Sequence, residues 1–178
     1  MHFNLNKKRL KHTAIVTIKM KPNLINNIEF AEKGLTMSEH IPPATCKRLA
    51  EIIILASKNL TDIRYTLSGA AKKLQLPSLH LTVDAKLPVI CQRCLEEMQL
   101  DFALAFDYAI SNTAPTEADE SDEIDWLEAS SAMNIDELVE DELLIAMPIA
   151  PMHETDCLKA SMQSGEKPNP FAVLKGRF

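Results

Sequence analysis

Glycine is scarce in this sequence, with four in 178 residues, and Phe, Trp and Tyr together make up only 5%. So few glycines leave little room for a glycine-rich phosphate loop. So few aromatics mean a core built mainly from Leu, Ile, Val, Ala and Met. No apolar run approaches the roughly 20 residues needed to cross a bilayer. Thr13 to Lys19, which follows the basic residues Lys7, Lys8, Arg9 and Lys11, is too short and too polar for a signal-peptide apolar region. The expected compartment is therefore the cytoplasm, with no membrane partner. No serine, cysteine or carboxylate pairs with a base in a recognisable catalytic pattern, which points away from an enzyme and from a small-molecule substrate.

Charge of one sign is missing over a long stretch. Residues 94–158 contain 18 Asp/Glu and no Lys or Arg, while residues 1–93 carry 15 Lys/Arg against 6 Asp/Glu. The tail from Lys159 is basic again, and the whole chain has a net charge of −6. Such a polarity lets one part face phosphate while another repels it or binds a basic protein. The 46% apolar fraction is enough for one core.

Three parts follow from this pattern: a basic appendage over 1–19, a domain over 20–158, and an extended tail over 159–178. Pro42 and Pro43 open a predicted helix over 42–55, whose stripe is Cys46, Leu49, Ala50 and Ile53. Cys46 is thereby a small core residue. Period-two alternation then dominates: Ile63, Tyr65 and Leu67, next Leu79 to Val89, and finally Leu100 to Ile110 at every second position. The last two runs predict a long antiparallel hairpin with one buried face, and Pro88 predicts an edge or bulge. Residues 112–133 are acidic and read as loop. Asn134 looks like the N-cap of a helix from Ile135 to about Met147, with stripe Ile135, Leu138, Val139, Glu142, Ile145 and Ala146. The acids Glu137, Glu140, Asp141 and Glu142 read as its solvated face. The fold class expected is α+β, an antiparallel sheet of four to six strands packed by two principal helices.

Cys91-Gln92-Arg93-Cys94 falls at the tip of the expected hairpin. Two thiolates with this spacing in a tight turn can face one tetrahedral zinc ion, and Cys3His is an accepted ligand set. The second pair would be His153 and Cys157, about 60 residues away. Two alternatives stay open: a redox dithiol, which normally needs a helix N-terminus behind it, and thiols that merely pack in the turn. Of the other histidines, His2 and His12 lie in the appendage, His40 precedes the first helix, and His80 lies on the polar face of a strand.

Cys91-Gln92-Arg93-Cys94, Val139-Glu-Asp-Glu-Leu-Leu-Ile-Ala-Met-Pro148 with Pro151-Met-His153, and Lys167-Pro-Asn-Pro-Phe-Ala-Val-Leu174 occur in this order. Together they resemble the YceD family, the large ribosomal RNA subunit accumulation proteins. The resemblance spans about residues 20–178, so 1–19 is a lineage-specific arm or lies upstream of a start at Met20. It implies a role in synthesis, processing or stability of 23S ribosomal RNA, and it supplies no active site. On that footing the basic half is expected to contact ribosomal RNA phosphates through Lys47, Arg48, Arg64, Lys72, Lys73, Lys86 and Arg93. With few aromatics for stacking, recognition would be of shape and backbone. The alternative is an adaptor whose acidic segment holds a basic large-subunit ribosomal protein.

Overall fold

The structure, a computed structural model, describes residues 23–73, 75–112 and 124–157, without the side chains of 71–73. The expected appendage at 1–19 and tail at 159–178 lie outside the described residues, as do the acids from Glu117 to Glu123.

Alternating side chains build the sheet. Strands β3 (Ile63–Lys73), β4 (Leu76–Ile90) and β5 (Glu97–Ser111) pair antiparallel, with Leu67 opposite Leu81 and Leu81 opposite Phe106. Because successive side chains point to opposite faces, Leu79, Leu81, Val83, Ala85, Leu87 and Val89 all enter the core. Strand β2 (Thr36–Ile41) adds antiparallel to β3. The pairing of β3 with β4 ends at Arg64 and Asp84, so at Pro88 the strand has only β5 beside it, and the missing N–H breaks no second ladder. The Pro88 carbonyl instead accepts from Ile54 N–H at 2.8 Å.

On the core face lie α1 (Asn27–Glu32) and α2 (Ile135–Ala146). Where α1 crosses β3 the position is Gly69, because a Cβ there would meet Ala31 O and Gly34 Cα at 2.8 Å. The Asn134 side chain caps α2 by accepting from Asp136 N–H at 3.2 Å. A separate antiparallel pair, β1 (Leu24–Ile25) with β7 (Met133–Asn134), brackets the two helix starts.

Three expectations are corrected. The segment 42–55 is not a helix; it makes two 3-10 turns, Pro43–Thr45 and Leu49–Glu51. The reason is a competitor for its amides. The Glu140 carboxylate of α2 accepts Arg48 N–H at 2.7 Å and Leu49 N–H at 3.0 Å, the donors a continuous helix would need. Second, the acidic stretch is not all loop. Asp125–Glu128 forms β6, which pairs parallel with Tyr108–Ser111 and places one parallel edge on an otherwise antiparallel sheet. Third, the buried stripe of α2 is Ile135, Val139, Glu140 and Leu143, while Ile145 is 78% exposed. Glu142 accepts the buried Tyr108 hydroxyl at 2.7 Å. Burial, then Glu142, push the Tyr108 phenol up from its ordinary value. Among the described residues, no helix is long and apolar enough to cross a membrane.

Candidate metal centre and basic surface

The alternation that buries β4 continues one step past its end, so Cys91 is fully buried. The chain then reverses in a tight turn, with Leu95 N–H donating to Cys91 O and Cys91 N–H to Glu96 O, both at 2.9 Å. Leu95 closes the turn with φ of 60°, a left-handed conformation that a branched side chain seldom adopts. On the other side, Pro148 stops α2 and the chain runs back until Pro151 O accepts Gln92 N–H at 2.8 Å. That bond brings the two ligand pairs face to face.

Cys91 Sγ lies 3.7 Å from Cys157 Sγ, and Cys94 Sγ lies 3.5 Å from His153 Nδ1. The ligand atoms of Cys91, Cys94, His153 and Cys157 all fall within 4.8 Å of one another. Ligands at zinc-thiolate and zinc-imidazole bond lengths around a tetrahedron are about 3.5–3.8 Å apart. The set therefore suits one such ion in number and chemistry, and the Cys91–Cys157 and Cys94–His153 separations match that spacing.

Arg93 sits between the pairs and faces inward. Its Nε donates to Cys157 Sγ at 3.2 Å and its Nη2 to His153 O at 2.7 Å, with a further bond to Thr155 O. Burial works to raise the Cys91 thiol, but N–H groups of Cys94, His153 and Arg93 prevail and bring it down to about 5. A backbone N–H from Glu96 favours the Cys94 thiolate, yet burial and the neighbouring Cys157 and Cys91 thiols raise it. Several thiols packed without a cation oppose each other's ionisation; a divalent ion at the centre would remove that opposition.

Two of the expected RNA contacts are already engaged by groups of the chain itself. Arg48 is held by Glu140 Oε2 at 3.2 Å and Asp141 Oδ1 at 2.6 Å, and Arg93 is held at the thiols. Lys86 lies 3.6 Å from Asp101 in an exposed pair. Arg64 and Lys86 line a concavity of about 590 Å³ together with His40, Asp62, Asp84 and Asp101, where three acids face two cations. Lys47 is exposed. Lys72 and Lys73 end β3, but their side chains lie outside the described residues. Sequence reasoning missed Glu140 as a buried ligand of backbone amides and Arg93 as an inward clamp.

A five-stranded α+β sheet with a Cys3His cluster between its β4–β5 turn and the segment after α2 defines a small α+β protein with a candidate metal site. A family model described as "Large ribosomal RNA subunit accumulation protein YceD" matches residues 79–176, which include the whole cluster. The Haemophilus influenzae (strain ATCC 51907 / DSM 11121 / KW20 / Rd) protein of that name is 30% identical over 167 residues, covering 86% of this chain and 93% of its own length. The chain belongs to the YceD family. No solved structure matches it significantly.

Proposed function

We propose that this chain is a non-catalytic factor that supports accumulation of large-subunit ribosomal RNA. The observation that carries this is family membership across most of the chain. One zinc ion, held by Cys91, Cys94, His153 and Cys157, serves as a structural clamp between the β4–β5 turn and the segment after α2. RNA contact falls to Lys47, Arg64 and Lys86, with Lys72 and Lys73 of β3. Arg48 and Arg93 leave that set, because each would have to abandon two or more internal partners to reach a phosphate.

Binding of a large-subunit RNA fragment by purified protein tests this reading. If phosphate contacts dominate, log affinity falls with log salt by about 0.7–0.9 for each contact. Lys47→Glu with Arg64→Glu should weaken binding and flatten that slope, whereas Arg48→Gln should leave the slope unchanged. A complex insensitive to salt, or unaffected by reversal of Lys47 and Arg64, would contradict direct recognition.

A second reading has its own support. Across residues 94–158 no Lys or Arg interrupts the 18 acids. That run of like charge suits a holder of a basic large-subunit protein, and RNA would then shift only when such a protein is added.

A further inference from the structure

The cysteine cluster is open on one side. Cys91 is fully buried, whereas Cys94 and Cys157 are half-buried, so a small solute reaches those two first. Reactive cysteines are partly exposed and stand beside cations, while cysteines sealed in apolar surroundings are inert. Cys157 meets both conditions, since Arg93 Nε donates to its sulfur at 3.2 Å. Cys46, in the apolar core, does not.

Arg93 also fixes where Cys157 stands. Its guanidinium is bonded to His153 O and Thr155 O, which ties the segment carrying Cys157 to the turn between Cys91 and Cys94. Cys91 Sγ thereby faces Cys157 Sγ at 3.7 Å, while Cys94 Sγ is turned to His153 Nδ1 at 3.5 Å. The first pair has only to close from 3.7 Å to a disulfide length of about 2.05 Å. Neither residue is held in the sheet ladder, because Cys91 follows the end of β4 and Cys157 lies beyond α2.

We propose that Cys157 and Cys91 form an oxidation site, at which a peroxide exchanges the metal clamp for a covalent one. Hydrogen peroxide transfers one oxygen to the Cys157 thiolate; the O–O bond breaks, hydroxide leaves, and a sulfenic acid results. The Cys91 thiolate then attacks the Cys157 sulfur. The S–O bond breaks, a second hydroxide leaves, and the S–S bond forms. Two thiolates, one peroxide and two protons thus become one disulfide and two waters, with two electrons passing from sulfur to oxygen. Cys94 and His153 are then too few to hold a structural zinc ion, which leaves. The new bond joins the same two segments that the ion joined, so oxidation releases zinc without parting the turn from the chain after α2. The release step rests on the zinc reading of the site; the pairing of the thiols does not.

Peroxide treatment of zinc-loaded, full-length protein freed of reductant tests this. A chromophoric chelator follows the zinc, and peptide mapping without reduction locates the bond. Two thiols should be lost for each zinc released, with Cys91 linked to Cys157 and Cys46 still a thiol. Dithiothreitol should restore both thiols and zinc binding. The Gln92 amide should stay protected in the oxidised protein, whereas reduced protein stripped by a chelator should lose its protection by about tenfold or more. Cys94→Ser should still form the bond. A Cys91–Cys94 or intermolecular disulfide in its place, a sulfinic acid at Cys157, or zinc retained after two thiols are lost would each overturn the proposal. The two failures are separable. Protein that carries zinc and releases it without a Cys91–Cys157 bond keeps the zinc reading and sinks this one. Protein purified without zinc that still forms the bond removes the zinc reading and leaves the oxidation site without its release step.

Discussion

Metal analysis of protein purified under reducing conditions without chelator should give close to one zinc per chain, and Cys91→Ser or Cys157→Ser should lower this well below half. Structural zinc in small peptides contributes on the order of 10–16 kcal/mol of apparent binding energy linked to folding. Only part of that is at stake here, because β4 and β5 pair through thirteen registered positions and bury their own apolar face without help from the cluster. Loss of zinc should accordingly free the turn and the segment after α2 while the sheet persists. Amide exchange locates the effect: Gln92 N–H, bonded to Pro151 O, should lose protection, whereas Leu81 in the sheet should keep it. Arg93→Gln should leave the ligands in place yet weaken zinc affinity by about 10–100-fold, the usual cost of removing a group that orients a ligand. Zinc-free wild-type protein with a protected Gln92 amide would leave the cysteines as packing residues.

Glu140→Ala should destabilise the fold by about 3–5 kcal/mol, as for one partner taken from a buried polar network. The carboxylate is 6% exposed and satisfies two backbone N–H groups as well as the Arg48 guanidinium. Without it, the Leu49 amide is stranded beside a side chain that is fully buried. Arg48→Ala removes only the half-exposed end of the network and should cost far less. Glu140→Gln, which keeps an acceptor, should fall between the two. Denaturant unfolding gives all three values; equal losses for Glu140→Ala and Arg48→Ala would show that the amide bonds contribute little.

The strands were legible because a half-buried sheet writes its geometry into the sequence at period two, as Leu79 to Val89 and Leu100 to Tyr108 do. The segment after Pro42 was not legible, because its conformation depends on a side chain roughly ninety residues away. A stripe of Cys46, Leu49 and Ile53 fits a helix equally well, and all three are indeed buried. Only the claim of Glu140 on the amides at 48 and 49 decides between the alternatives. A trace of that role was present in α2, where Glu140 stands three residues before the buried Leu143 and beside Val139. Strand β6 was hidden by its composition, since Asp125 and Glu128 flank its two half-buried residues, Trp126 and Leu127. For the cluster, sequence spacing provided two ligand pairs but no reason for them to meet. That reason is the return of the chain after Pro148, fixed by the bond between Gln92 and Pro151. Arg93 illustrates a further limit: charge can be counted from sequence, but the direction in which a guanidinium points cannot.

The central claim, a role in accumulating large-subunit ribosomal RNA, is tested most directly in cells from which this gene has been removed. The measurement is the ratio of large- to small-subunit ribosomal RNA, with the chain or its Cys91→Ser variant supplied back. The account predicts a fall in the ratio on removal, recovery with the wild-type chain, and poorer recovery with Cys91→Ser. A ratio unchanged by removal of the gene would contradict it.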